Sequence, residues 1–324
     1  MRTIFIISFV LVSGTAAADE SPGVVATIDR GLAFLSKEAL AWKAEHNCVS
    51  CHHAGLVIWS MFEARKRGHA VDEPVLEELT KWVAESGDGK TGVPRPAGIP
   101  KALNVKAVNF ALALEANPAP DAASQKGLKL LLETIKGDQT EDGAWASWPE
   151  TRPPIFGNSD DSMTALATLA LLPAAGAGDD SAKVVRDKGV AWLAANRTDD
   201  DPQSIAMRLV LWRRLERPVE EWEPLAKRIK ERQNADGGWS QSASMESDAW
   251  ATGQALYALA HAGLKSDEPA LKRARVFLVK TQREDGSWPM TSRQIKPDGE
   301  GSKSLIPITG AGSAWAVLGL VRSR

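Results

Sequence analysis

The sequence predicts an all-α fold of paired helices, and three observations lead to this prediction. Apolar residues recur along most of the chain with the period of a helix that buries one face. No alternating run typical of a β-strand competes with this pattern. A short motif, Gln-x-x-Asp-Gly-x-Trp, occurs three times at intervals of 94 and 49 residues, which indicates a repeat array. We therefore expect one repeat domain over residues 19–324.

The three copies of the motif are Gln139–Trp145, Gln233–Trp239 and Gln282–Trp288, and each lies between two predicted helices. Asp-Gly is a turn dipeptide, because glycine takes positive φ without steric cost. The Gln side chain can bind carbonyl groups left over at a helix end. The Trp ring offers a large flat surface for packing against the next hairpin.

These copies resemble the QW repeats of squalene-hopene cyclases and oxidosqualene cyclases. The resemblance covers most of residues 22–322, and it implies an (α/α)6 toroid, in which six helical hairpins form an inner and an outer ring of helices. Prenyltransferase β-subunits share this toroid, but their zinc site needs an Asp, a Cys and a His placed apart in the ring. Here Cys48 and Cys51 lie together, so prenyltransferase chemistry is not supported.

Six hairpins require twelve helices, and the helical period delimits them. The outer helices are amphipathic; in the last one Leu271, Ala274 and Leu278 share a face. The basic residues Lys272, Arg273 and Arg275 are expected to point outward. The inner helices are rich in Ala and Leu and apolar nearly all round, which is typical of buried helices. The predicted outer helices are 24–44, 74–86, 121–136, 181–196, 219–232 and 268–281, and the predicted inner helices are 54–67, 104–116, 161–172, 203–215, 249–262 and 312–322.

A closed ring of hairpins leaves a central space that the inner helices line. Trp59, Trp212, Trp250 and Trp315 lie on predicted inner helices, and we expect them to face this space. Such a lining would suit an apolar small molecule as ligand.

The charge balance argues against a nucleic-acid partner, because 39 basic and 41 acidic residues leave a net charge of −2 without a basic patch. Residues 1–18 have the features of a cleaved secretory signal peptide, with Arg2, an apolar core at Ile4–Val12 and small residues before Asp19. The core is too short to span a bilayer, and no later segment reads as a transmembrane span. We expect a periplasmic or otherwise exported protein.

The first hairpin departs from the repeat, since it has His46-Asn-Cys-Val-Ser-Cys-His-His53 where a QW turn is expected. Cys48-x-x-Cys51-His52 resembles the haem c attachment motif of c-type cytochromes. Two thiols at this spacing can add to the two vinyl groups of one haem, and His52 can bind the iron from the proximal side. Covalent haem c is the expected cofactor, and a redox partner protein is expected with it.

Other uses of this motif remain open. In an exported protein Cys48 and Cys51 could form a local disulfide. They could also bind zinc with His46, His52 or His53, because thiolate and imidazole both suit this metal. The sequence does not specify a distal haem ligand, and an open sixth position is equally compatible. The candidates for that ligand are Met61, His69, Met245 and Met290.

The resemblance to cyclases suggests a second site. Class II terpene cyclases use an Asp-x-Asp-Asp motif, whose middle Asp stays protonated and gives its proton to an alkene or epoxide. This chain has Asn158-Ser-Asp-Asp161 before its third inner helix. The resemblance implies that Asp160 would be the proton donor and Asp161 its neighbour, while Asn158 stands where the family has the first Asp.

The repeat offers these acidic residues a structural role as well. When the inner helices are aligned, Thr164, Thr252 and Ser313 are equivalent. Four residues before each stands a residue able to cap the helix, namely Asp160, Asp248 and Thr309. The cluster Asp199–Asp201 is likewise interpreted as a helix start rather than a metal site.

The sequence thus predicts an exported toroid with one covalent haem c, active in electron transfer or haem-based redox chemistry. One alternative is a class II terpene cyclase, with Asp160 pointing into a sealed apolar lumen. Another is a non-redox binding scaffold with a disulfide between Cys48 and Cys51.

Overall fold

The computed structural model describes residues 21–46, 49–86, 105–147, 154, 159–196, 200–293 and 305–324. The expected signal peptide at 1–18 lies outside these residues. Within them the chain forms twelve α-helices, and a π-helical turn, Cys51–Gly55, leads directly into the second. The helices are α1 (Ser21–His46), α2 (Leu56–Lys66), α3 (Glu73–Glu85), α4 (Val105–Glu115), α5 (Ala122–Gly137), α6 (Asp160–Gly176), α7 (Asp180–Ala195), α8 (Pro202–Arg214), α9 (Val219–Glu231), α10 (Ala249–His261), α11 (Pro269–Thr281) and α12 (Ile306–Arg322).

The even-numbered helices form a closed inner ring, and the odd-numbered helices surround it. Each even-numbered helix packs against the next, and α12 packs against α2, so that the ring has no open edge. The inner helices are buried nearly all round; in α10 every residue from Ala249 to Leu259 is buried. This arrangement confirms the predicted (α/α)6 toroid. Among the described helices, none combines the length and apolar character needed to cross a membrane.

The Gln of each QW turn joins neighbouring outer helices. Its Nε2 atom donates to the Gly carbonyl of its own turn and to a carbonyl of the next outer helix. The acceptors in the next helix are Val185 in α7, Ala270 in α11 and Thr27 in α1, at 2.8, 2.8 and 2.9 Å. The third turn therefore binds the last outer helix to the first and closes the outer ring.

The Trp of each QW turn joins the two helices of its own hairpin. Its Nε1 atom donates to a carbonyl of the preceding outer helix, at 2.7, 2.7 and 2.8 Å in the three copies. Its backbone N–H donates to the equivalent hydroxyls predicted from the sequence alignment, Thr164, Thr252 and Ser313. The predicted packing on the next hairpin is also present, because Trp145 lies against Gly189 of α7 and Trp288 against Gly31 of α1.

The outward orientation predicted for Arg275 is wrong, because its side chain is buried and its guanidinium donates to the carbonyls of Ser323 and Ser266.

Two elements differ from the prediction. Two short strands, β1 (Trp239–Ser240) and β2 (Ser247–Asp248), pair in antiparallel fashion between the second QW turn and α10. Strands of two residues are too short to show an alternating pattern. The helix α12 begins at Ile306 rather than at residue 312, and it includes Gly310 and Gly312. Glycine lowers helix propensity, and this hid the first turns of the helix.

The predicted helix caps are confirmed in part. The Asp248 carboxylate accepts the N–H of the third residue of α10 at 2.9 Å, and Asp201 caps α8 in the same way. The prediction is wrong for Asp160 and Thr309. Ser159 caps α6, so that Asp160 is the first residue of the helix, and Thr309 lies inside α12.

We expect Gly286→Ala to weaken the closure of the outer ring. Gly286 has a φ of +90°, and a Cβ atom there would lie 2.3 Å from the carbonyl oxygen of Arg30 in α1. The backbone strain costs about 1 kcal/mol, and overpacking adds about 1–3 kcal/mol. The free energy of unfolding should therefore fall by about 2–4 kcal/mol in urea denaturation followed by circular dichroism.

Gly68→Ala is the matched control for this variant. Gly68 has a φ of +82°, but a Cβ atom there would meet nothing within 4 Å. This variant should lose only about 1 kcal/mol, from backbone strain alone. Equal losses in the two variants would mean that the contact of Gly286 with α1 does not contribute to stability.

Candidate functional site

The two faces of the toroid have different connections. Connections from an inner to the next outer helix contain at most seven residues. The connection from α9 to α10, which is described throughout, contains 17 residues and lies at the N-terminal end of an inner helix. Because loops on a rigid scaffold commonly carry function, this N-terminal face is where a site is expected.

The π-helical turn of the cysteine motif lies on this N-terminal face, at the start of α2. Cys51, His52 and His53 are all buried in it. Ser50 caps the turn, with its hydroxyl oxygen accepting the N–H of His53 at 3.1 Å. Cys48 lies outside the described residues. Single π-helical turns are often found at functional sites, and this one stands where three of the other hairpins have a QW turn.

The histidines of the motif pack against one indole. Trp42 of α1 stacks against His46, with ring centroids 3.8 Å apart, and against His53, at 4.6 Å. His52 meets the same indole edge-on at 4.8 Å. The sequence prediction did not include Trp42. Its position four residues before His46 in an amphipathic helix was the available signal.

The two adjacent histidines also contact each other. The Nδ1 atoms of His52 and His53 are joined by a hydrogen bond, and the Ser50 hydroxyl lies 3.2 Å from the same nitrogen of His52. The Nε2 atom of His53 is buried and has no hydrogen-bond partner among the described residues. It faces α12, where a Cβ atom at Gly310 would lie only 3.0 Å away. Burial, followed by the nearby His46, lowers the pKa of His53 to about 3, so its imidazole is neutral.

A complete zinc site is not formed by the described residues. No group of three or more His, Cys, Asp and Glu side chains in the described ranges is arranged to hold a metal ion. The zinc alternative also needs Cys48 as a ligand, and Cys48 lies outside those ranges. The contacts of His52, by contrast, suit a single metal bond at Nε2, because Nδ1 is already engaged.

The four candidates for a distal haem ligand lie at different depths in the toroid. His69 follows the C-terminal end of α2, at the opposite face from His52, and it contacts Asp29 and Arg324. Met61 is fully buried within α2. Met245 and Met290 follow the second and third QW turns. Of these, Met290 packs against Gly312 of α12, two residues from the glycine that contacts His53.

Asp160 and Asp161, the candidate cyclase acids, have different environments. Asp160 is exposed, and its carboxylate accepts the backbone N–H of Ser147 at 2.7 Å. Asp161 is buried and forms an ion pair with Arg208 of α8 at 2.6 Å. The same guanidinium donates to the Leu193 carbonyl of α7. The ion pair of Asp161 and Arg208 thus links the three helices α6, α7 and α8. Asn158 lies outside the described residues.

Three of the four tryptophans predicted to line the central space lie in one aromatic cluster. Trp59 of α2, Trp250 and Tyr257 of α10, and Trp315 of α12 are buried, and the ring centroids of contacting pairs lie 5.3 to 6.1 Å apart. Trp212 belongs to another environment, in which Arg208 and Arg217 lie over its ring. Where α2, α10 and α12 meet, the aromatic rings therefore contact one another edge to face.

A cavity of about 710 Å³ opens between the second QW turn and α11. Its wall includes Asp248, Phe277 and Trp288. Asp248 is 6% exposed, and Gln241 Nε2 donates to its second carboxylate oxygen at 2.6 Å. Loss of hydration raises the pKa of Asp248 to about 6 despite these hydrogen bonds. A buried carboxyl with a raised pKa beside a cavity is a candidate acid, although the sequence indicated only a cap.

Comparison with known families gives one match. A model of the squalene-hopene cyclase N-terminal domain matches residues 190–282, which span the end of α7, all of α8 to α11 and the second QW turn. No curated protein sequence matches the chain. The family match thus covers part of the toroid, and this part contains one of the three complete QW turns.

Solved structures resemble the whole chain. A polysaccharide lyase superposes with a TM-score of 0.62 at 13% identity, covering 94% of this chain and 97% of its own. The type II terpene cyclase MstE from Scytonema gives 0.57 at 14% identity, with 93% and 98% covered. A protein from Actinoplanes gives 0.59 at 16% identity, with 93% and 99% covered. These similarities support the toroid fold, and their different activities show that the fold does not fix the reaction.

We expect Asp248→Asn to remove a pH dependence of stability. The folded-state pKa of Asp248 is raised to about 6 from 3.8, so the folded protein binds its proton more tightly than the unfolded chain. The stability from this group is complete below pH 4 and is lost as the pH rises through about 6, by up to about 3 kcal/mol. Asn keeps the cap and carries no charge. Urea denaturation at a series of pH values should show the variant gaining on the wild type between about pH 4 and pH 6 and keeping that gain above pH 6.

Asp121→Asn is the control, because Asp121 caps α5 in the same way but is exposed. Its hydrogen bonds with Ser124 lower its pKa, so its contribution is lost as the pH falls below the usual range of Asp. The difference in the free energy of unfolding between Asp121→Asn and the wild type should therefore change with pH in the direction opposite to that expected for Asp248→Asn. A flat difference curve for Asp248→Asn would contradict the raised pKa.

Proposed function

We propose that this protein is a toroid carrying one haem c, attached through Cys48 and Cys51, with His52 as the proximal ligand. Its role is electron transfer or haem-based redox chemistry. The observation that carries the proposal is the engagement of His52 Nδ1 by Ser50 and His53 within a motif that replaces a QW turn.

The donor set suits this cofactor. The nitrogen of a histidine that binds a metal is set by the hydrogen bond of the other nitrogen, and here Nδ1 has partners. His52 would therefore present Nε2 to iron. Cys51 lies beside it in the π-helical turn, and Cys48 would supply the second thioether. Haem bound here would supply reversible one-electron chemistry at iron.

The surrounding residues support such a site by excluding water. Cys51, His52 and His53 are 4%, 8% and 1% exposed, and the Trp42 indole contacts both histidines. A dry environment of this kind shifts the potential of a bound redox group. A redox partner protein would dock on the N-terminal face of the toroid, where the motif lies. Attachment of haem c requires export, which agrees with the expected signal peptide at 1–18.

The second candidate function is a terpene-cyclase-like reaction, favoured by the family match at 190–282 and by the similarity to MstE. Its substrate would be an apolar polyene, and Asp160 would be the acid under the family resemblance. The alternative expects its acid to point into a sealed apolar lumen, whereas Asp160 is exposed. Asp248, beside the cavity of about 710 Å³, is the better placed acid for this alternative.

We expect the mature protein to carry covalent haem when it is secreted by a host with haem c maturation. Its Soret band should remain with the polypeptide after denaturation and acid-acetone extraction, because thioether bonds survive this treatment. The variant Cys48→Ala/Cys51→Ala should lose the band. His52→Ala should keep the covalent haem but change its spectrum, because only the proximal ligand is removed.

A colourless wild type from a host that matures other c-type cytochromes would refute this proposal. Mass spectrometry after alkylation would then separate the remaining uses of the motif. Protection of both cysteines, removed by a reductant, would indicate the disulfide of the scaffold alternative. Protection removed by a chelator would indicate zinc.

The cyclase alternative predicts a product, whereas we expect none. The purified protein should leave squalene unchanged in gas chromatography with mass detection, and Asp160→Asn and Asp248→Asn should behave like the wild type. A cyclic product that disappears in one of these variants would favour the cyclase and identify its acid. Asp161→Asn is unsuitable as a control, because leaving Arg208 unpaired costs about 3–5 kcal/mol of stability.

A further inference from the structure

We propose that a small oxyanion that carries a proton, such as hydrogen phosphate, binds where the inner helices α2, α8, α10 and α12 end. The binding groups form a C-terminal cluster of three arginines and one histidine, namely Arg67, Arg214, Arg322 and His261. Each is the last residue of its helix or directly follows it. The cluster lies at the opposite end of the inner helices from the cysteine motif, so the inference does not depend on the proposed haem.

The tautomer of His261 follows from its arginine neighbour. Arg322 Nη2 lies 3.4 Å from the Nδ1 atom of His261. A guanidinium group can donate hydrogen bonds but cannot accept them, so Nδ1 of His261 is the acceptor. Burial, followed by the charges of the nearby arginines, lowers the pKa of His261 to about 3, and the imidazole is therefore neutral. Its single proton then lies on Nε2.

The Nε2–H group of His261 is a buried donor without an acceptor in the described part of the chain. A buried N–H group in this state is unfavourable unless a ligand or a water accepts its proton. The Tyr257 ring packs against the imidazole, with ring centroids 4.6 Å apart, and holds it in place together with Arg322. The donor is thus fixed in position, and an oxygen atom of a bound oxyanion would satisfy it.

The arginines of the C-terminal cluster supply more positive charge than their neighbours neutralise. Arg322 forms a loose ion pair with Glu63 of α2, in which Nη1 and Oε2 are 3.8 Å apart. Neither Arg67 nor Arg214 has a carboxylate within ion-pairing distance among the described residues. Both are exposed, and the charges of all three arginines act on His261. Burial, followed by the charge of Arg322, also lowers the pKa of Arg67, as expected where positive charge is in excess.

Two carboxyl groups beside the cluster explain why the oxyanion should carry a proton. The Oε2 atom of Glu63 is buried and accepts no hydrogen bond from the described residues, so a protonated oxyanion can donate to it. Burial raises the pKa of Glu115, the last residue of α4, well above its ordinary value despite the charge of Arg214. A neutral carboxyl at Glu115 can donate to an anion instead of repelling it.

The helix ends alone do not explain these observations. The negative end of each helix dipole favours cations, which accounts for arginines at these positions. It does not account for the buried N–H group of His261 or the buried acceptor of Glu63. A bound hydrogen phosphate would accept from the first, donate to the second and neutralise the guanidinium groups.

Calorimetric titration of the purified protein with sodium phosphate at neutral pH tests the site, with the ionic strength held constant by sodium chloride. We expect saturable binding of one phosphate. Arg214→Ala should weaken this binding by about tenfold or more, because a hydrogen bond between charged groups is lost. Arg214 is exposed, so its replacement should not disturb the fold, and circular dichroism checks this.

Arg186→Ala is the matched control. It removes the same charge from the outer helix α7, where Arg186 pairs with the adjacent Asp187 at 2.6 Å. This variant should bind phosphate as tightly as the wild type, because Arg186 does not belong to the cluster.

Nitrogen-15 NMR of histidine-labelled protein gives a second readout at the site itself. The signal of His261 is identified by its absence from the spectrum of His261→Phe. Without phosphate it should show the proton on Nε2, as the contact with Arg322 requires. Addition of phosphate should shift this signal with the same saturation curve as the calorimetric titration.

Several results would overturn the inference. One is the absence of saturable phosphate binding, and another is the same affinity in Arg214→Ala and Arg186→Ala. A third is phosphate binding that leaves the His261 signal unchanged, since the anion would then lie elsewhere. A proton on Nδ1 of His261 would remove the donor on which the site depends. In each case the cluster would be a hydrated network of charges at the helix ends.

Discussion

The double hydrogen bond of the QW glutamine is the interaction on which the architecture depends. One amide nitrogen satisfies a carbonyl of its own turn and a carbonyl of the next outer helix, in all three copies. In the last copy the partner is Thr27, so residues near opposite ends of the described chain are joined. A ring can close only if its first and last hairpins meet, and this contact, with the packing of α12 on α2, accomplishes the closure.

The glycine of the same turn allows this closure sterically. In each copy it has positive φ, and a Cβ atom would lie 2.3 to 2.8 Å from a backbone oxygen of the next outer helix. The positive φ and the close approach to the next helix thus both require glycine at this position. Other hairpin junctions use charged side chains, as where Arg208 binds Asp161 and carbonyls at the end of α7.

The candidate site lies where the repeat is interrupted. The first hairpin lacks a QW turn, and a π-helical turn there contains Cys51 and two buried histidines. Ring closure supplies the rest of the environment, because α1 contributes Trp42 and α12 contributes Gly310. The regular part of the toroid therefore acts as a rigid frame, and the irregular junction carries the candidate site. A fold found in both a lyase and a cyclase is consistent with this division.

The sequence by itself determined the helices, their pairing in hairpins, the register of the QW turns and the cysteine motif. These features depend on local periodicity, turn dipeptides and spacing, which are written in consecutive residues. Only the tertiary structure decided which equivalent acid is buried. Asp160 and Asp248 occupy the same register, yet one is exposed and the other has a raised pKa beside a cavity. Likewise, the pairing of His53 with His52 needs walls from α1 and α12, far apart in sequence. Burial and ring contacts depend on neighbours that ring closure brings together, and no local pattern encodes them.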